Sequence, residues 1–195
     1  VQQLAETSKK IKLGNPLNPA TGMGPVISES QMEKILGYIQ SGIEEGARLV
    51  CGGKRASGPE VDNGYFIEPT IFFFFSNDMK IAREEIFGPV LAVIKYSTEA
   101  EAIEIANDTI YGLSGGVWSR DVNKANEIAT KIKAGTVWIN DWHVFRNDAP
   151  FGGYKQSGIG RELGIQVFNE YTELKNITTS LTAENHQRPA LGLIF

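Results

Sequence analysis

Hydrophobic residues recur at the spacing of an α-helix in the segment that follows Ser28, which predicts an amphipathic helix. The apolar positions of that face are Met32, Ile35, Leu36, Ile39 and Ile43. Ser28 and Gln31 are placed as a capping box, in which each side chain satisfies a backbone amide of the other residue. Gly46 is placed to end the helix, because glycine readily takes the left-handed conformation that follows a last turn. Turn-forming residues at 15–25 predict an irregular loop before the helix.

The middle of the chain alternates between strand and helix patterns. Residues 90–96 predict a buried strand, and residues 98–107 predict a helix that opens with Thr98 and Glu101 in capping-box positions. A second round follows, with a short strand at residues 116–118, a helix capped by Asp121, and another strand at Thr136–Ile139. The helix has its predicted inward face at Val122, Ala125, Ala129 and Ile132, and ends before Gly135. Short connections between these elements favour an α/β layered domain with a mainly parallel sheet flanked by helices.

The last part of the chain is less regular. The residues after Ile139 have no usable period until a short predicted helix at 162–169, and loops of that length in compact domains are more often functional than idle. Residues 171–180 are rich in threonine and predict a C-terminal strand that pairs outside the α/β core. The phenylalanine run at 72–75 predicts either packing against polypeptide beyond this chain or an exposed, aggregation-prone strand.

Composition narrows the class of protein. A chain of 195 residues with 42% hydrophobic content can bury a core, which excludes a disordered chain. The net charge of -4 and the lack of a basic block give no footprint for nucleic acid. The longest apolar run, residues 71–75, is too short to cross a bilayer, and the first residues lack the layout of a signal peptide. The sequence therefore predicts no membrane partner and a cytoplasmic location.

Cysteine and histidine give no metal or redox site. Cys51 is the only cysteine and cannot form an internal disulfide, and the two histidines lie too far apart to suggest zinc. Cys51 has no histidine near it in sequence, and its only basic neighbours are Lys54 and Arg55. We therefore predict that Cys51 is a structural or surface cysteine and not a nucleophile.

The run EEIFGPV at residues 84–90 carries the most specific candidate chemistry. A carboxylate can accept hydrogen bonds from two ribose hydroxyls, while a nearby aromatic ring packs on a nicotinamide face. From residue types alone, however, Glu85 and Phe87 would more often be a surface charge and a core aromatic.

Together with the run PFGGYKQSG at residues 150–158, this segment resembles signature runs of the NAD(P)-dependent aldehyde dehydrogenase superfamily. Further matching runs occur in family order at residues 14–16, 22–25, 64–70 and 111–113. The resemblance implies that residues 1–170 are part of the catalytic domain and that residues 171–195 are an oligomerisation strand and tail. It also implies that the nucleophilic cysteine, the general-base glutamate and the oxyanion-holding asparagine lie outside this chain. We therefore expect a C-terminal portion of such an enzyme, inactive alone.

The same resemblance implies roles for individual residues. Glu85 would contact the nicotinamide ribose and Phe87 would lie against the nicotinamide of NAD or NADP, between which the sequence does not distinguish. Trp142, Phe145 and Phe151 would wall the aldehyde tunnel. Such a wall excludes water, and an aromatic box with Trp142 could hold a quaternary ammonium group. Aliphatic, aromatic and cationic aldehydes all stay open.

Glu162 matches a family glutamate that is sometimes assigned to a proton path, a role that a buried carboxylate with a raised pKa could fill. An equally good interpretation is a structural partner of Arg161 or of a backbone amide.

The parent enzyme would oxidise a small aldehyde to a carboxylic acid through a cysteine thiohemiacetal and would assemble as a homodimer or homotetramer. This chain would supply the ribose clamp, part of the substrate wall and the subunit interface. The alternative is a noncatalytic α/β module that associates with copies of itself.

Overall fold

The computed structural model describes residues 1–74, 76–179 and 181, so the predictions for Phe75, Ser180 and residues 182–195 lie outside the described part. Two helices and two strands come first, and from residue 70 onward strands and helices alternate. The elements are α1 (Gln2–Ser8), α2 (Glu29–Glu44), β1 (Arg48–Cys51), β2 (Thr70–Phe74), α3 (Lys80–Arg83), β3 (Val90–Ile94), α4 (Glu99–Asn107), β4 (Ser114–Val117), α5 (Val122–Lys131), β5 (Thr136–Ile139) and α6 (Val167–Tyr171), with a 3-10 turn at Lys155–Ser157.

The strands of the described residues form two sheets. The first has the order β1-β2-β3, in which β1 is antiparallel to β2 and β2 is parallel to β3. The second is the parallel pair β4-β5, whose strands are joined through α5. The predicted α/β class with mainly parallel pairing is confirmed. The antiparallel strand β1 and the division into two sheets were not predicted.

Helix α2 covers the three-stranded sheet and forms the main core with it. Its buried residues Met32, Ile35 and Ile39 pack in one cluster with Phe72 and Phe74 of β2. Side chains alternate between the faces of a strand, so Phe72 and Phe74 share the core face. The two alternatives predicted for the run at 72–75 are therefore wrong for both residues, because the chain buries them itself.

Side chains cap the helices as the sequence predicts, with one exception. Ser28 Oγ accepts a hydrogen bond from the Gln31 amide at 3.2 Å, and Asp121 caps α5 in the same way. Thr98 and Glu101 form a complete capping box. The Gln31 side chain, however, does not return to Ser28, because its amide is bonded to carbonyl groups far along the chain.

Two helical predictions differ from the structure in detail. Val122 is exposed, and α5 is buried through Ala125 instead, because Val122 is the first helical residue and lies at the rim of the packed face. The short helix predicted at 162–169 begins only at Val167. Leu163 and Gly164 have φ values of 61° and 60°, a left-handed backbone that cannot continue a right-handed helix.

Two further segments bear on predictions made from the sequence. The strand predicted at 116–118 is β4, which begins earlier, at Ser114. Residues 172–179 have no strand partner within the described residues, so the predicted C-terminal strand stays a prediction. Among the described residues, no helix has both the length and the apolar character needed to span a membrane.

Candidate functional site

The turn between α3 and β3 carries the EEIFGP run and is anchored to α2. Ile86 is buried in the α2 core. Gly88 lies so close to α2 that a Cβ atom at this position would be 2.5 Å from Ile35 Cδ1. Only glycine fits there without moving a fully buried side chain, so the backbone on both sides of Phe87 is held against the helix.

Three of the side chains on this turn have different environments. Glu84 Oε2 accepts a hydrogen bond of 2.7 Å from the Tyr38 hydroxyl, which raises the pKa of Tyr38. Glu85 is exposed, and Phe87 is 71% exposed. The interpretation of Phe87 as a core aromatic is therefore wrong.

The backbone of Phe87 is in the left-handed region, with φ of 53°. For a residue other than glycine this costs about 1–3 kcal/mol, and such strain often marks a functional position. Gln31, in the first turn of α2, donates from Nε2 to the carbonyl oxygens of Ile86 and Phe87 at 3.3 and 3.0 Å. The Gln31 side chain thus holds the carbonyl groups before and after the Phe87 Cα atom, and the next residue, Gly88, packs against α2.

Glu85 lines an open cleft of about 490 Å³ that brings together three of the sequence motifs. The other lining residues are Ala82, Arg83, Glu84, Tyr111, Leu113, Gln156 and Ser157. Ser157 Oγ accepts a hydrogen bond of 2.9 Å from the backbone amide of Gly112. This bond connects the glycine-rich loop, residues 150–158, to the matching run at residues 111–113. Phe87 is not among the lining residues, so only Glu85 of the predicted ribose and nicotinamide contacts faces this cleft.

Asp108, just after α4, pairs with the helix that leads into the EEIFGP turn. Arg83 Nη2 lies 2.7 Å from Asp108 Oδ2 and 2.9 Å from Asp78 Oδ1. The Arg83 guanidinium, followed by the Asn77 amide, lowers the pKa of Asp108, and the two carboxylates raise the pKa of Arg83. The ion pairs thus connect the start of the site turn to the end of α4.

Asn107 extends this network to the glycine-rich loop. Its side chain donates to Lys131 O at 2.8 Å and accepts from the amide of Lys133 at 2.7 Å. Its backbone carbonyl accepts from Lys155 Nζ at 2.8 Å. Lys155 has a left-handed backbone, with φ of 53°.

The segment after β5 forms a cluster of aromatic rings. Phe145 and Phe151 meet edge to face with centroids 4.9 Å apart, and Trp142 lies 5.0 Å from Trp138. His143 stacks on Trp142 with centroids 5.0 Å apart. The three rings predicted as substrate wall therefore belong to one cluster, in which Trp138 lies between Trp142 and Phe145. Phe145 and Phe151 also line a cleft of about 350 Å³.

Glu162 reaches this cluster through its backbone. It forms an antiparallel bridge with Phe151, with N–H···O distances of 2.7 and 2.8 Å. Its side chain is exposed, so the burial that a proton path would need is not met within the described residues. The Arg161 guanidinium donates to the carbonyl oxygens of Gly153 and Gly160 and not to Glu162, so the first half of the alternative, a structural partner of Arg161, is not met. Its second half, a partner of a backbone amide, stays a prediction.

Cys51 is buried at the end of β1, where its thiol donates weakly to the carbonyl oxygen of Pro69 at 3.7 Å. The structural role predicted for this residue agrees with that position.

Sequence reasoning missed four residues of this site. Trp138 and His143 also belong to the aromatic cluster, and the density of aromatic residues after Thr136 could have indicated both. Gln31 and Asp108 act on segments distant in sequence, and no local pattern signals either role.

The Aldehyde dehydrogenase family profile matches residues 1–177 of the chain. The betaine aldehyde dehydrogenase of Bacillus subtilis (strain 168) is 53% identical over 175 residues, covering 90% of this chain. The human aldehyde dehydrogenase 1A1 is 47% identical over 185 residues, covering 95% of this chain. The chain spans 36% of the length of each of these relatives.

Solved structures of aldehyde dehydrogenases are also similar to this chain. The Staphylococcus aureus betaine aldehyde dehydrogenase in complex with NAD+ matches with a TM-score of 0.85 at 46% identity, covering 92% of this chain and 38% of that one. The Mycobacterium tuberculosis aldehyde dehydrogenase complexed with NAD+ matches with a TM-score of 0.82 at 53% identity, covering 86% of this chain and 34% of that one.

The Arg83–Asp108 ion pair predicts a pH-dependent stability. Because the pKa of Asp108 is lowered on folding, the pair stabilises the fold above the unfolded pKa of about 3.9. That stability is lost as the pH falls through the lower folded value. We expect Asp108→Asn to lower the free energy of unfolding at pH 7 and the difference from wild type to shrink as the pH is lowered below the unfolded value of about 3.9. Urea denaturation at pH 7 and at a series of acidic pH values measures this.

The matched control for this experiment is Asp148→Asn. Asp148 pairs with Arg146 at 2.7 Å within a single loop, so its loss should destabilise the chain less. An Asp108→Asn effect that is independent of pH would contradict the assignment.

Proposed function

Because the chain belongs to the aldehyde dehydrogenase family, we propose that it is part of an enzyme that oxidises an aldehyde to a carboxylic acid with NAD or NADP. Residues 1–170 would be part of the catalytic domain. In this proposal a cysteine thiolate attacks the aldehyde, hydride leaves the thiohemiacetal, and water hydrolyses the thioester. The only cysteine of the 195 residues is the buried Cys51, so the covalent step is not assigned to this chain, which we expect to be inactive alone.

The observation that carries the proposal is the exposed pair Glu85 and Phe87 on a rigidly anchored turn. An exposed carboxylate offers acceptor oxygens for both hydroxyls of a ribose, and an exposed ring offers an apolar face to a nicotinamide. These groups fit a nicotinamide coenzyme, which supplies the hydride acceptor when bound. The strain at Phe87 is explained if the ring must be presented to a ligand.

We assign Glu85 to the ribose and Phe87 to the nicotinamide, and Trp142, Phe145 and Phe151 to the substrate wall. The wall suits a small aldehyde, because clustered rings exclude water and grip apolar groups without directional bonds. Exposed rings such as Trp142 could also face a cation. Glu162 stays a candidate for a proton path if other polypeptide covers its exposed carboxylate. A cytoplasmic location is part of the same proposal.

The test uses a chimera in which the 175 matched residues replace the corresponding segment of the Bacillus subtilis relative. We expect the chimera to form NADH or NADPH from an aldehyde. Glu85→Gln should raise the coenzyme KM about tenfold or more, since an uncharged amide keeps only one acceptor oxygen for two ribose hydroxyls. Steady-state kinetics with varied coenzyme measures both.

Glu84→Gln is the matched control for Glu85→Gln. It removes the neighbouring charge, but the new amide oxygen can still accept the Tyr38 hydrogen bond. Its coenzyme KM should change by less than about threefold. A folded chimera without dehydrogenase activity would contradict the proposed function, and equal effects of the two substitutions would contradict the role of Glu85.

The substrate wall predicts the opposite kinetic pattern. We expect Phe151→Ala in the chimera to raise the aldehyde KM about tenfold or more, because even a single methylene in an apolar pocket contributes about that factor. The coenzyme KM should stay nearly constant. Phe151→Ala and Glu85→Gln thus serve as controls for each other. A Phe151→Ala variant that changes only the coenzyme KM would contradict the assignment of Phe151 to the substrate wall.

We also propose that residues 171–195 contribute an oligomerisation strand and tail that join copies of the chain into a homodimer or homotetramer. Leu174 and Ile177 are 106% and 80% exposed, and exposed apolar side chains that lie close together are typical of a surface that contacts a partner. This feature also favours the alternative function, a noncatalytic self-association module. Dehydrogenase turnover by the 195-residue chain alone would exclude that alternative.

The interface proposal is tested by sedimentation of the chain. Leu174→Asp should lower the oligomeric state, because a charge at an apolar interface is costly. Leu17→Asp is the control, since Leu17 is equally apolar and 89% exposed but lies in the loop before α2. Identical sedimentation of both variants and wild type would argue against this interface.

A further inference from the structure

Phe87 requires a specific support, because its conformation is unfavourable by itself. Its φ of 53° is a left-handed backbone that side chains with a Cβ atom avoid. Its ring is mostly exposed, so ring packing cannot hold the backbone in place. The support must come from the peptide groups around the residue.

Gln31 provides hydrogen bonds to those peptide groups. Its side-chain amide donates to the carbonyl oxygens of Ile86 and Phe87 at 3.3 and 3.0 Å, across 55 and 56 positions of sequence. The backbone of Gln31 is itself fixed, since its amide donates to Ser28 Oγ at the start of α2. The carbonyl groups on both sides of the Phe87 nitrogen and Cα are thereby attached to one rigid helix turn.

The chemistry of the side chain is specific. A glutamine amide carries two N–H donors and no charge, so it can bond two carbonyl oxygens together. A glutamate of the same length would place acceptor oxygens against acceptors, and a methionine would leave both carbonyl groups without this donor. Packing of Gly88 on Ile35 restrains the next residue but offers no donor.

We propose that Gln31 is a positioning residue that holds Phe87 in its left-handed conformation and so sets the direction of its exposed ring. The link to the coenzyme rests on the proposed function, whereas the effect on the backbone does not. Gln31 acts through Phe87, and loss of its amide should therefore disturb the placement of the nicotinamide more than the affinity for the coenzyme.

The first experiment measures the backbone of Phe87 by NMR in the 195-residue chain, using the Cα and Cβ chemical shifts that report φ. We expect Gln31→Met and Gln31→Glu to move these shifts away from left-handed values. Gln40→Met is the matched control, because Gln40 lies on the same helix and its amide bonds only the nearby Glu44 side chain. Unchanged Phe87 shifts in the folded Gln31 variants would overturn the proposal.

The second experiment measures kinetics in the chimera. We expect Gln31→Met to lower kcat about tenfold, since small misplacement of a reacting group costs rate, with less than about a threefold change in the coenzyme KM. A raised coenzyme KM with unmoved Phe87 shifts would mean that Gln31 binds the coenzyme directly, which also overturns the proposal. If Phe87 moves while kcat is constant, the functional half is wrong.

The two experiments separate this inference from the proposed function. An inactive wild-type chimera would contradict the proposed function, and the NMR result would then still decide whether Gln31 holds the backbone of Phe87.

Discussion

The close approach of the Gly88 backbone to Ile35 is the contact on which the candidate site depends. Ile35 is fully buried between α2 and the sheet, so it cannot move without opening the core. The turn that carries Glu85 and Phe87 is therefore built directly on the main core, and protein interiors tolerate little change in volume. A flexible loop could present the same residue types, but it would not keep them in a strained arrangement.

A second set of contacts holds distant segments together around Asn107 and Asp108. These adjacent residues bond α3 through Arg83, the end of α5 through Lys131, and the glycine-rich loop through Lys155. The groups involved are exposed, and exposed ion pairs individually add little stability. Their contribution is geometric, because they hold α3 and the glycine-rich loop, which are separate in sequence, beside the same cleft.

The sequence predicts what depends on neighbouring residues. Ser28, Thr98 and Asp121 mark the starts of their helices correctly, and Thr136–Ile139 is a strand as expected, because caps and strand periodicity are local signals. The family resemblance is confirmed by the match over residues 1–177. The roles of individual site residues stay predictions.

The failures involve distant partners. Gln31 looks like half of a capping box, yet its amide bonds a turn 55 residues away. Phe72 belongs to a run that predicted an exposed strand or a contact beyond this chain, but it is buried against α2. The helix expected from residue 162 starts late because Glu162 instead pairs its backbone with Phe151. In each case a tertiary contact replaced the local one, and one sequence contains no pairing information of that kind.

The small sheet β4-β5 has a further consequence for handling this protein. Within the described residues each of its strands has one neighbour only, so both margins of the ribbon present unpaired amide and carbonyl groups. The pair packs against helix α5, and unpaired strand edges can pair with other extended peptides. When the 195-residue chain is produced by itself, any pairing with other extended peptides should therefore begin at the edges of β4 and β5.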